Sequence, residues 1–183
     1  MGVDQSSWVI RFASLVSRGG DVLDVACGSG RHTRLFLARG HRVVAVDRDL
    51  SGLADLAGHI RLEMVKTDLE DEAPFALTGR RFAAVVVTNF LHRPLLPALI
   101  AAVEADGVLI YETFAAGNER FGRPKNPHYL LQAGELLDAV RGYLRVIAYE
   151  DLVVGEPSRA SIQRVCAIGP ERAVPALSEL PFA

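Results

Sequence analysis

Apolar residues in this chain fall into short unbroken runs, separated by stretches in which they recur every three or four positions. The runs Asp21-Val-Leu-Asp-Val25, Arg42-Val-Val-Ala-Val46, Arg61 to Val65, Phe82 to Thr88 and Gly107 to Thr113 predict five strands. Runs of this kind suit strands buried on both faces, as in a parallel sheet covered by helices. Before them, Trp8, Val9, Phe12, Leu15 and Val16 space a leading helix over Ser6 to Ser17, which Gly19-Gly20 stops. Further helices are predicted over Arg31 to Arg39, ended by Gly40, near Leu50 to Ala57, and over Pro94 to Val103, where Pro94 suits a first turn.

The first strand, helix and second strand form a βαβ unit, which requires parallel pairing and a right-handed crossover. Continued alternation extends it into an open, doubly wound sheet with helices on both faces. The texture changes after residue 113. Phe114 to Gln132 carries Gly117, Gly122, Pro124 and Pro127 without any period, and a loop of that length suits either a mobile cover over a site or a static surface loop. A helix near Glu135 to Arg141 follows. Two β-rich segments, Tyr143 to Val154 and Ser161 to Ile168, flank Gly155-Glu-Pro157-Ser158 and predict a terminal antiparallel hairpin. The fold class is therefore α/β, a Rossmann-like, mostly parallel, seven-stranded sheet ending in that hairpin. With 183 residues, half of them hydrophobic, a single domain over 1–183 is expected, with residues 170–183 as a loosely attached tail.

Charge removes several function classes. Lys and Arg total 20 against 22 for Asp and Glu, without a long block of either sign, so no extensive nucleic-acid surface is expected. No signal-like N-terminus is visible and no apolar run reaches the roughly 18 residues of a membrane span. A soluble, cytoplasmic protein with no membrane partner is the expectation. Cys27 and Cys166 have no C-x-x-C spacing, and His32, His41, His59 and His128 lack metal-ligand spacing, so neither a disulfide framework nor a bound metal is expected.

The chemistry concentrates in Val22 to Gly30, a strand that runs directly into the turn Ala26-Cys-Gly28-Ser-Gly30 at a helix start. Gly28 and Gly30 allow close backbone approach to a ligand, and the free N–H groups of the helix start favour an anionic one. Asp47 lies 17 residues after Gly30, at the C-terminal end of the second strand, where sheet topology sets it beside the turn. A carboxylate there can accept hydrogen bonds from two neighbouring ribose hydroxyls. A nicotinamide or flavin dinucleotide fold would share both features, but its fingerprint asks for a third glycine where this chain has Thr33. A nucleoside without phosphates fits better.

The stretch Leu23-Asp-Val-Ala-Cys-Gly-Ser-Gly-Arg-His32, continuing through Ala38-Arg-Gly-His-Arg-Val-Val-Ala-Val-Asp47, resembles the cofactor motif of class I S-adenosylmethionine-dependent methyltransferases. It is especially similar to the small bacterial methyltransferases of the tellurite-resistance and thiopurine type. The resemblance implies S-adenosylmethionine as cofactor, with Asp24, Ala26, Gly28 and Gly30 around its methionine part. It further implies Asp47 with Arg48 at the ribose, Asp68 with Leu69 at the adenine, and Thr88 with Asn89 near the transferring methyl. Ala26 departs from the motif, which more often has glycine there. The fourth strand ends Thr88-Asn-Phe-Leu-His92 and lacks the Asn-Pro-Pro-aromatic sequence that holds planar nitrogens, which disfavours an adenine-N6 or glutamine acceptor.

Methyl transfer needs in-line positioning, exclusion of water and, for a protonated nucleophile, a proton acceptor. His92, just beyond the fourth strand, is the candidate acceptor of that proton, with Glu112 and Tyr111 behind it. Arg31 and Arg34 read as a solvated helix face, and Cys27 as a packing residue. The short chain carries no added recognition domain, so a small-molecule substrate is expected as the partner. An RNA or protein acceptor and a non-catalytic S-adenosylmethionine-binding module are the alternatives.

Overall fold

In the computed structural model, which describes residues 4–71, 75–155, 158–176 and 180, all the predicted strands are present. They are β1 (Asp21–Val25), β2 (Arg42–Asp47), β3 (Leu62–Lys66), β4 (Phe82–Thr88), β5 (Val103–Phe114), β6 (Arg145–Val154) and β7 (Ala160–Ile168). Their order in the sheet is β3-β2-β1-β4-β5-β7-β6. The pairs from β3 to β5 are parallel, and β7 joins both β5 and β6 antiparallel. The predicted hairpin is therefore inserted in reverse, its second strand innermost.

Composition explains that inversion. All but one of the positions of β7 are buried, whereas β6 is exposed or half-buried throughout, so the more apolar strand takes the place with a neighbour on each side. Gln163, near the middle of β7, is polar and fully buried. Its amide donates to the Gln132 carbonyl and accepts from the Leu136 N–H, which satisfies a buried polar side chain and ties the sheet to a helix start.

Alternate residues of the central strands feed two separate cores. Val22, Val43, Ala84, Val86, Val108 and Ile110 face one side, where α1 (Ser7–Phe12) and α2 (Arg31–Ala38) bring Trp8, Phe12 and Phe36. Leu23, Val44, Val85, Val87, Leu109 and Tyr111 face the other, where α3 (Leu96–Ala101) and α4 (Glu135–Val140) bring Leu99, Ile100, Leu136 and Val140. This period of two, read on both faces, is what made the strands unbroken apolar runs.

Several boundaries differ from expectation. The leading helix tightens into a 3-10 turn over Ala13–Leu15, and the segment near Leu50 to Ala57 is 3-10 throughout, Ser51–Leu56. The helix after Pro94 is split: a 3-10 turn at Arg93–Leu95 precedes α3, where Pro97, lacking an N–H, sits in the first turn. Val103 leaves the helix for β5, because Phe82 pairs with it and donates its N–H to the Ala102 carbonyl. Glu156 and Pro157 of the predicted hairpin turn, and residues 177–179 and 181–183 of the tail, lie outside the described residues. Within the tail, Arg172 donates to the carbonyls of Asp106 and Leu15, and Leu180 is buried. Among the described residues no helix is long and apolar enough to cross a membrane.

Candidate functional site

The C-terminal ends of β1, β2, β3 and β4 carry nearly every residue singled out from the sequence for cofactor contact. The turn after β1 is held open by backbone conformation: Ala26 and Gly28 adopt φ of 52° and 53°, in the left-handed region. For alanine this costs about 1 kcal/mol, which accounts for the usual preference for glycine at that place. Asn89, at the end of β4, has φ of 56° and donates its N–H to the Glu112 carbonyl. Two strained residues at adjacent strand ends mark this edge as more than a connection.

The two glycines have different reasons. A Cβ on Gly28 would meet nothing within 4 Å, so this residue leaves space on the exposed side of the turn. A Cβ on Gly30, where φ is 74°, would lie 2.0 Å from Leu53 Cδ2, so this glycine is required by the packing of the turn. Gly52 is a residue that the sequence reading missed. A Cβ there would lie 2.7 Å from Ser29 Cα and 2.9 Å from the Gly28 carbonyl oxygen, so the 3-10 segment backs directly onto the turn. Arg34 locks the two together by donating to the Ser29 and Gly52 carbonyls and to Asp55. It is therefore a brace and not a solvated helix face.

Asp47 joins the turn to β2. Its Oδ2 accepts from the Gly28 N–H at 2.8 Å and its Oδ1 from the Asp49 N–H at 3.0 Å. Each oxygen retains a lone pair, so the carboxylate is oriented by the backbone yet can accept further hydrogen bonds. Asp47 lines a cavity of about 230 Å³ together with Ala26, Arg48, Asp68, Leu69, Glu70 and Phe90. Five residues proposed for cofactor contact thus share one cavity, and the Glu70 N–H turns back to fix the Asp68 carboxylate.

Asp24 sits elsewhere, buried beneath the turn, where its Oδ2 accepts from the Thr33 hydroxyl at 2.6 Å. Thr33 occupies the place of the missing third glycine and its hydroxyl supplies this bond. Burial pushes the Asp24 carboxyl up to about 6, partly offset by Thr33 and the Arg31 charge. A raised carboxyl favours the folded state while protonated, so its contribution is complete below about 4 and is lost as the pH rises through about 6. Asp24→Asn is expected to flatten this part of the stability curve, worth about 3 kcal/mol across that window. Denaturant melts at stepped pH check it, and parallel slopes for parent and variant would contradict the assignment.

Thr88 closes the other side. His32 is buried and its imidazole is pushed down to about 3, chiefly by burial and then by the Arg31 charge, so it is neutral. Its Nε2 accepts from the Ser6 N–H, which leaves the Nδ1 proton to face Thr88 Oγ1 at 3.4 Å, and Arg31 donates to the same oxygen. Thr88 therefore accepts from two donors, and its own proton remains for another partner. Arg31 also donates to the Asp4 carbonyl, so it anchors the N-terminal segment and, like Arg34, is not merely solvated.

Of the three candidate proton acceptors, His92 is the one whose side chain is not engaged by a described residue. Its ring is half-buried, lines the cavities on both sides of the turn before α3, and makes no side-chain hydrogen bond with a described residue. The Glu112 carboxylate accepts from Ser6 and pairs with Arg164, which pairs in turn with Glu150. The Tyr111 hydroxyl is buried, donates to the Phe90 carbonyl and is pushed far up by burial. Both are structural. Burial likewise pushes the Cys27 thiol up to about 12, which agrees with a packing residue. Among the described residues no cluster of three or more His, Cys, Asp or Glu could hold a metal ion.

The loop from Phe114 to Gln132 is anchored at both ends. Asn118 is buried, accepts from the Ser161 N–H and donates to the Pro124 carbonyl, while Ala115 bridges to Leu131. Arg93, which the sequence reading passed over, pairs with Glu135 at 2.6 Å and donates to the His128 and Leu130 carbonyls. These contacts join sequence-distant side chains, for which no local spacing gives a signal.

Residues 22–105, which hold the turn, Asp47, Asp68 and His92, match the family profile described as a methyltransferase domain. In sequence pattern the matched stretch is thus similar to methyltransferase domains. In structure the chain is similar to TehB from Haemophilus influenzae, with a TM-score of 0.71, 17% identity, and coverage of 90% of this chain and 62% of that one. It is also similar to the 1,6-didemethyltoxoflavin-N1-methyltransferase of Burkholderia thailandensis, with a TM-score of 0.65, 22% identity, and coverage of 90% and 76%. The glycopeptide N-methyltransferase MtfA matches with a TM-score of 0.63, 24% identity, and coverage of 92% and 91%. The chain spans less than two thirds of TehB, and at these identities the likenesses establish the class I methyltransferase fold. No curated protein matches the sequence significantly.

Proposed function

We propose that the chain binds S-adenosylmethionine at the C-terminal edge of β1, β2 and β4 and transfers its methyl group to a small-molecule nucleophile. The observation that carries this reading is Asp47, a carboxylate oriented by the Gly28 N–H with lone pairs free at the wall of a cavity that also contains Asp68. Two of the similar structures hold S-adenosylhomocysteine, and one of them also holds 1,6-didemethyltoxoflavin, a small acceptor. Both facts support the reading.

The residues present fit the cofactor. Asp47 would accept from the ribose diol with Arg48 beside it, and Asp68 would accept from the exocyclic amine of adenine with Leu69 against the base. Gly28 leaves room beside the turn for the methionine part, and Thr88 offers its hydroxyl proton. Bound S-adenosylmethionine supplies an already activated methyl group. The protein then has to align the acceptor, exclude water and receive a proton, and His92 takes the last role.

Titration calorimetry with S-adenosylmethionine and with NADH tests the cofactor assignment: binding of the first and not the second is expected. Release of S-adenosylhomocysteine with an acceptor separates an enzyme from a binding module, and exclusive transfer into RNA or protein would overturn the small-molecule assignment. For an acceptor whose nucleophile carries a proton, His92→Gln is expected to lower kcat by about 100-fold while the Kd for S-adenosylmethionine stays within about twofold. An unchanged kcat would remove His92 from the mechanism.

A further inference from the structure

Three depressions run in sequence along this edge of the molecule. The cavity containing Asp47 and Asp68 shares Glu70 with a second, of about 280 Å³, walled by Leu91, His92 and Pro94 on one side and His128 and Tyr129 on the other. Tyr129 also lines a third, more open depression formed with Arg123, Pro124, Lys125 and Asn126. We infer that the second and third depressions are the acceptor site, and that the acceptor is a small organic anion whose charged group pairs with Arg123 and Lys125. This assignment rests on the methyl-transfer reading of the first cavity.

Local charge favours an anion at the far end of the series. The whole chain is at -2, yet residues 117–129 carry Arg120, Arg123 and Lys125 against the single acid Glu119. Glu119 is occupied by the Gly117 N–H, and Arg120 donates to the Gly117 carbonyl and lies over Phe121. Arg123 and Lys125 make no hydrogen bond or ion pair with any described residue. Arg93 also lines the second depression, but its charge is matched by Glu135. Arg123 and Lys125 thus stand as unpaired cations at the end of the series away from Asp47.

The segment carrying these cations is also held in place. It is fixed by Asn118 on the Pro124 carbonyl, by Asn126 capping His128, and by Arg93 on the His128 carbonyl. Ends held in this way reduce the ordering cost of binding. An anion here also complements the positive sulfonium of the donor at the other end of the path, which favours encounter.

The reaction balances with the anionic group as a spectator. The acceptor's heteroatom lone pair forms the bond to the methyl carbon, the C–S pair passes to sulfur to give the neutral thioether, and the heteroatom's proton passes to His92.

Matched probes test the inference on protein loaded with S-adenosylhomocysteine: 3,4-dihydroxybenzoate and 4-aminobenzoate, each against its neutral amide, with 4-hydroxyphenyl phosphate as a further anion. Calorimetry should give the anions at least about tenfold tighter binding than the amides, and the preferred anion tells a carboxylate site from a phosphate site. The double variant Arg123→Gln with Lys125→Gln should remove that advantage and leave amide and S-adenosylmethionine affinities unchanged. Equal binding of acid and amide, unaltered anion affinity in the double variant, or no anion binding at about 10 mM overturns the inference. If S-adenosylmethionine itself fails to bind the parent protein, the methyl-transfer reading falls instead.

Discussion

Asp47→Ala is expected to weaken S-adenosylmethionine binding by about 100- to 1,000-fold. The carboxylate offers two charge-assisted hydrogen bonds to a ribose diol, each worth about 1.5–3 kcal/mol, and partial exposure places the sum toward the lower end of that range. Removal also frees the Gly28 N–H, which Asp47 now holds at 2.8 Å, so the turn loses an anchor together with the ligand contact. Asp47→Asn separates the two effects, because one amide oxygen can still accept from Gly28 while the charge is gone. Calorimetric titration of the three proteins should rank the parent tightest, Asp47→Asn next and Asp47→Ala weakest. A Kd for the Asp47→Ala variant equal to the parent's would rule out the cofactor assignment.

Gly52→Val is expected to damage the same site from behind. Even the first carbon of the new side chain would stand 2.7 Å from Ser29 Cα, and backbone atoms cannot rotate away as a side-chain end can. Either the 3-10 segment or the turn must shift, at a cost of about 1–3 kcal/mol, and movement of the turn misplaces Gly28 against Asp47. The expected result is a loss of at least about tenfold in S-adenosylmethionine affinity together with a lower Tm. Gly52→Ala shows the same sign with a smaller effect. Unchanged melting and binding in both variants would mean that the two segments do not touch as described.

Legibility in the sequence followed the range of the interactions. Strands such as Val43 to Val46 and Phe82 to Val87 are buried on both faces, so each carries its own evidence as an apolar run. Asp47, Asp68 and the glycine turn were legible because sheet topology brings strand ends together whatever the side chains are. The reverse insertion of β7 was not, since it depends on comparing the burial of two strands against a third. The roles of Gly52, Thr33 and Arg93 were equally hidden, because each acts on a partner from another segment. The assignment of Glu112 as a candidate base failed for the same reason: the Arg164 and Ser6 that occupy it lie 52 and 106 residues away.

Because β7 sits between β5 and β6, biosynthesis meets a waiting period. When the ribosome has delivered residues 145–154, that stretch has no neighbour to zip onto, and the nascent sheet stops at β5 with its outer flank bare. Only the emergence of residues 160–168 seals both gaps at once, so a polypeptide stalled just short of them would present two sticky ladders to other chains and to chaperones.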